Sequence, residues 1–157
     1  MPLLNQESLN SIGLLLLRAG VGGYMLTHGW AKFQMLLGGN FEIVGDPIGI
    51  GNAPSAVLIV FAEFVCAGLV VIGLLTRLAA VPLVIAMLVA ALVAHGKDPW
   101  TLGEAYRLFM EGKSEFPKSK QGALLYAVPF AALALTGPGR LSLDWLIWGR
   151  KRAGAGR

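Results

Sequence analysis

The sequence predicts an all-α fold: an integral membrane four-helix antiparallel bundle with a short interfacial helix in the loop between spans three and four. Three observations carry this. The 157 residues make one domain's worth of chain. Of these, 55% are hydrophobic and only 14% charged, where soluble domains carry about a quarter charged residues, and mean hydropathy is +0.66. The charges are also unevenly placed. Most fall within Lys97–Lys120 or after Thr136, and the long stretches left nearly free of charge suit lipid as their solvent.

The first span is expected over about 9–37, with small residues at Gly13, Ala19, Gly20, Gly22 and Gly23 that allow close helix approach in lipid. Gly38-Gly39-Asn40 stops it, and the glycines and prolines of 41–54 predict an irregular loop. Span two covers 55–75 with Glu63 as its one charge. Thr76-Arg77 leaves room only for a tight turn, so span three, 78–94, must run antiparallel beside it, with Pro82 near its start, where proline is tolerated. In the polar stretch that follows, Trp100–Met110 sets aromatic and leucine residues against Glu104 and Arg107 at helical spacing, the pattern of a helix lying in the interface. Span four, about 120–136, is short for a crossing, which takes about 20 residues. Pro129 is expected to kink it. A re-entrant or tilted segment is the rival reading. Leu141–Trp148 reads as an amphipathic stretch at the opposite interface. Together these make one membrane domain over 1–157 without internal repeats.

Composition also excludes several functions. The formal net charge is only +4, and no basic face interleaved with aromatics argues for nucleic acid. Arg150-Lys151-Arg152 reads as an anchor on anionic headgroups. The single cysteine, Cys66, excludes an intrachain disulfide and a paired thiol centre, and its apolar neighbours predict a buried packing residue. Residues 1–11 have an acidic Glu7 and no basic residue, unlike a cleavable signal. Basic residues divide evenly between the two sides. The tighter cluster at Arg150, Lys151, Arg152 and Arg157 favours both termini in the cytoplasm.

Charges inside a membrane are costly, so each is a functional hypothesis. Counting about 1.5 Å per residue from Leu9, Arg18 lies about 13 Å deep and His28 about 28 Å. Glu63, counted back across a core of about 30 Å, lies at about 18 Å. These depths predict an Arg18–Glu63 pair linking spans one and two, serving either to fix register or as the floor of a polar pocket. His28 and Lys32 stand four residues apart on one helix face. The structural alternative has Lys32 reaching the headgroups and His28 bonding a carbonyl. His28 and His95 fall at similar depth, as a bis-histidine haem would need. However, His95 adjoins Gly96-Lys97-Asp98 at the water boundary, which disfavours haem. No metal-ligand cluster, nucleophilic triad or phosphate-cradling loop stands out, so no metal site is assigned.

The stretches Arg18–Gly23 with His28-Gly-Trp-Ala-Lys32, Ala62–Arg77 and Gly137–Asp144 follow one another in an order that resembles the DoxX family of small membrane proteins. That resemblance implies a four-helix protein of the bacterial inner membrane. It also implies kinship with subunits of quinone-linked sulfur-oxidising oxidoreductases and with partners in redox or detoxification complexes. It selects Arg18, His28, Lys32, Glu63, Arg77 and Asp144 as the polar set. Arg77 and Asp144 fall on the side of the termini, where each can cap a helix end or the two can form an interface ion pair. The polar insert around Trp100–Lys120 is a departure that suggests a contact surface. The expectation is a small subunit of a membrane redox complex, with catalytic residues undetermined and a pocket for a quinone-type or amphiphilic ligand. Lipids and a membrane or soluble redox protein would be its partners, and a homo-oligomer is compatible with the chain. A non-enzymatic scaffold or assembly factor, and a small-solute or proton-coupled transporter, are the alternatives.

Overall fold

The computed structural model describes residues 5–149; the basic tail singled out as an anchor, Arg150-Lys151-Arg152 with Arg157, lies outside the described residues. All regular structure among the described residues is helical. Helix α1 (Gln6–Leu37) is 32 residues long, or about 48 Å, which exceeds a hydrocarbon core of about 30 Å. The Asn5 side chain accepts from Ser8 N at 2.9 Å and caps it, with Glu7 well placed in the first turn of the helix dipole. Gly39, at φ 78°, lets the chain leave the other end.

Helices α2 (Asn52–Ile72) and α3 (Thr76–Ala94) have 21 and 19 residues and, with α1, are long and apolar enough to cross a membrane. Helix α4 (Leu102–Met110) lies in the polar stretch, as its periodicity predicts, and Thr101 Oγ1 caps it by accepting from Glu104 N at 3.3 Å. Helix α5 (Gln121–Thr136) has 16 residues, about 24 Å, and continues through Pro129. It packs chiefly along α3 and places Phe130 and Leu133, fully buried, against a core that includes Met25, Val70 and Leu83. Cys66 belongs to that core. The outer surfaces carry large apolar side chains in the open, among them Leu16 (68%), Leu78 (69%) and Val128 (71%), as a protein solvated by lipid requires.

Two features set the geometry of the polar residues. The first is the α2–α3 turn, which is earlier than the expected Thr76-Arg77. It occupies Gly73 to Leu75, and Thr76 and Arg77 already belong to α3. Gly73 and Leu75 both adopt left-handed backbone, at φ 73° and 50°. Leucine has a Cβ that costs about 1–2 kcal/mol in that region. Asp144 holds it there: its carboxylate accepts from Leu75 N at 2.6 Å and Thr76 N at 3.0 Å. The second is the α1–α2 register. Gly29 abuts the Glu63 backbone, Gly22 abuts Val70 and Val71, and Arg18 lies under Gly73. Residues further along α1 thus meet residues further back along α2, which makes the pair antiparallel.

Candidate functional site

Glu63 sits in a widened π turn of α2, Phe61–Cys66. Two more such turns, Ala90–Ala94 and Trp145–Gly149, lie outside this site, so it is the packing around Glu63 and not the turn alone that sets it apart. Gly29 of α1 is pressed against the carbonyl of Glu63, where any Cβ would collide with backbone. This close approach lets Lys32, one turn further on, reach across. Its Nζ donates to both Glu63 carboxylate oxygens at 2.6 Å. The Glu63 side chain is 4% exposed and that of Lys32 25%. At this separation two unit charges attract by about 6 kcal/mol at an effective dielectric of about 20. Desolvation costs several kcal/mol per ion. The pair as a unit is therefore close to break-even, while either member alone is expensive.

The same stretch of the α1–α2 seam carries an aromatic wall. Phe33 and Phe64 stack at 4.8 Å, and Trp30 tilts against Phe33 at 5.9 Å and Phe64 at 5.6 Å. Trp30 and Phe64 also border an open groove of about 300 Å³ with Gly23, Leu26 and Thr27. The groove's lining includes neither Lys32 nor Glu63; it opens at the same level of the α1–α2 seam as the pair.

The expected Arg18–Glu63 pair does not form. Arg18 is buried at the other end of α2, where its Nη2 donates to Leu141 O. Glu63 and Gly73 are ten residues apart, about 15 Å along the helix. The depth count failed because it began the membrane at Leu9. The first turns of α1 instead run beside the 137–140 segment: Gly139 lies against Ser11 and Leu14, and Arg140 pairs with Glu7 at 2.8 Å. Arg18 therefore falls at the level of the α2–α3 turn. Its Nε and Nη1 have no hydrogen-bond partner among the described residues.

His28 is also not part of a seam with Glu63. It is exposed and meets the Tyr126 ring of α5 edge-on at 6.2 Å. His95 Nδ1 lies 2.7 Å from Asp98 Oδ2, so the two histidines have separate neighbours. Arg77 and Asp144 make no ion pair with each other among the described residues, and the capping alternative is the one that forms. Arg77 Nη2 donates to Thr136 O at 3.2 Å at the end of α5, while Asp144 caps the start of α3. No group of three or more His, Cys, Asp or Glu side chains gathers among the described residues.

Sequence reasoning had both members of the Lys32–Glu63 pair and missed their pairing. It also missed Asp46, in the loop expected to be irregular. Its carboxylate accepts from Gly51 N at 2.8 Å, Ile50 N at 2.9 Å and Ser55 Oγ at 3.1 Å, joining the loop to the start of α2. These donors, the Gly51 amide first, hold the Asp46 carboxyl below its ordinary value.

A protein-family model described as DoxX matches residues 13–96 of this chain. The match runs through α1, α2 and α3, so the fourth helix and the Gly137–Asp144 segment lie beyond it. The chain is also similar to an uncharacterized membrane protein of Mycobacterium tuberculosis, with 34% identity over 134 residues, covering 83% of this chain and 78% of the relative. No solved structure matches it significantly.

Proposed function

The chain belongs to the DoxX family of membrane proteins, and from that premise we propose that it is a small membrane subunit of a redox complex that holds the head group of a quinone-type amphiphile at Lys32 and Glu63. The observation that carries this reading is the buried Lys32–Glu63 pair at 2.6 Å, and the groove bordered by Trp30 and Phe64 on the same stretch of the α1–α2 seam supports it. A quinone offers carbonyl acceptors on a flat ring with an apolar tail. Lys32 has three N–H donors and spends at most two on Glu63, so one remains for a carbonyl. Glu63 keeps the ammonium in place, and the aromatic wall matches the ring face. The one cysteine is buried, so electrons come from a partner and this chain's part is to bind and orient.

Organic extraction of the freshly purified protein, followed by chromatography, tests the proposal. The expected result is a bound quinone in the wild type and His28→Gln that is lost from Lys32→Met and Glu63→Gln, all four remaining folded. Absence of quinone, together with no quenching of tryptophan fluorescence by added quinone, overturns it.

An assembly scaffold is the second reading, supported by Tyr106 and Met110 of α4 and Trp100 just before it, which stand 51%, 80% and 59% exposed. It requires a stoichiometric protein partner captured by crosslinking. The transporter alternative requires pH-dependent uptake into liposomes. In the membrane, α5 is the fourth crossing of a four-helix bundle, tilted little because it is short, with both termini on the cytoplasmic face of the bacterial inner membrane. A C-terminal reporter active only outside that membrane refutes this orientation.

A further inference from the structure

The ends of α3 and α5 on the side of the termini frame a second groove, of about 510 Å³, far from Lys32 and Glu63. Arg77, Asp144, Trp145 and Trp148 line it together with Leu75 and Leu78. We propose that this groove binds one phospholipid with a zwitterionic headgroup, taking its phosphate on Arg77 and its ammonium between Asp144 and the two indoles.

Four observations support that occupant. The first is charge. Among the described residues the groove presents one cation and one anion, which suits a headgroup carrying both signs better than a singly anionic one. Among those same residues the one hydrogen bond of the Arg77 guanidinium is to Thr136 O at 3.2 Å, so most of its five donors remain for a phosphate. The second is the state of Asp144. It accepts two backbone N–H groups and interacts electrostatically with the buried Arg18 behind it. It is therefore fixed in position as an acceptor, and Trp145 and Trp148, which line the same groove, are the ring type that attracts an ammonium best. The third is level. Arg77 lies in the first turn of α3 and bonds the last residue of α5, so the groove sits where two helices end, and tryptophan pairs concentrate at that boundary of a bilayer. The fourth is continuity with the lipid-facing surface. Leu78 borders the groove and begins an exposed stripe, Leu78, Val81, Ile85, Leu88 and Leu92, at spacings of three and four along one face of α3. An acyl chain attached to a headgroup in the groove follows that stripe. A free phosphate or a soluble amine has no use for it.

Native mass spectrometry of the full chain, released from nanodiscs with equal phosphatidylethanolamine and phosphatidylglycerol, tests this. The expected result is one retained phosphatidylethanolamine, favoured over phosphatidylglycerol by at least about tenfold, the scale of one charge-assisted hydrogen bond. Arg77→Gln and Trp148→Ala should each reduce that adduct about tenfold, and Trp100→Ala, at a distant surface, should leave it unchanged. Trp148 is 46% exposed, so its truncation tests the site even if Arg77→Gln disturbs folding at the end of α5. Equal retention of phosphatidylglycerol, an adduct indifferent to Trp148→Ala, or a dimer in place of the lipid adduct overturns the proposal.

Discussion

Replacing Lys32 by Met leaves the Glu63 carboxylate 4% exposed and without its partner. Breaking a buried ion pair from one side costs about 3–5 kcal/mol. Lys32 is a quarter exposed, so water and headgroups reach the vacated space and the expected loss is nearer to about 2–4 kcal/mol. The opposite single replacement, Glu63→Leu, should cost less, about 1 kcal/mol, because a lysine stem lies along apolar surface while its ammonium turns toward headgroups. The double variant should recover to within about 1 kcal/mol of the wild type, which gives a coupling of roughly 2–4 kcal/mol. Reversible unfolding in mixed detergent and SDS micelles, followed by tryptophan fluorescence, measures all four corners. A parallel cycle between Arg18 and Glu63 should be additive within about 0.5 kcal/mol, as sites more than about 10 Å apart usually are. The reasoning fails if the Lys32–Glu63 cycle is additive, if Glu63→Leu proves costlier than Lys32→Met, or if Arg18 is the residue that couples.

Three further outcomes follow from the same packing. Gly29→Ala puts a Cβ into the backbone of Glu63, which cannot yield, whereas Gly22→Ala meets the movable side chain of Val71 at 2.9 Å. The first should destabilise by about 1–3 kcal/mol and the second by less, in the same micelle assay. Asp144→Ala removes the acceptor for two backbone amides and the counter-charge of Arg18, and should cost at least about 1–2 kcal/mol, with Asp144→Asn between it and the wild type by the same unfolding measurement. The carboxyl of Asp46 is held below its ordinary value of 3.8, so the stabilisation of its loop is present above that value and disappears as pH falls through the lower, folded one. Amide exchange at Ile50 and Gly51 should accordingly speed up, relative to a neutral-pH extrapolation, only at strongly acid pH, and an Asp46→Ala variant should show fast exchange throughout.

Much of the helix inventory was legible because it depends on composition and on local stops. Long uncharged stretches, Gly38-Gly39 and the amphipathic spacing of Trp100–Met110 each mark a feature within a few residues of where it occurs. The turn between α2 and α3 was misplaced by a few residues for a reason outside local sequence. Leu75 takes a conformation that leucine avoids, and Asp144, sixty-nine residues away, holds it there. The same holds for the π turn at Glu63. Nothing in Phe61–Cys66 announces a widened turn, and the partner that presses on it, Gly29, belongs to another helix.

The misplaced ion pair shows what a depth count can and cannot decide. It treats each helix as starting at the membrane surface, so an error in one boundary passes undiminished to every pairing. Residues 6–17 of α1 lie below the α2–α3 turn, and that single offset exchanges Arg18 for Gly29 and Lys32 as the neighbours of Glu63. Small residues would have given a better ruler. Gly22 and Gly29 are seven residues apart, two helical turns on one face, and their buried neighbours Val70 and Glu63 are also seven apart on α2. Close approach in lipid needs small residues facing bulk in this way. Aligning those two pairs sets the register without assuming where the bilayer begins. It places Lys32 within reach of Glu63 and leaves Arg18 to the carbonyl of Leu141. The polar residues then separate into two layers. One, at Lys32 and Glu63, joins α1 to α2 at the level of the Trp30 groove. The other, at Arg18 and Asp144, fastens the turn and the chain after α5 to the foot of α1.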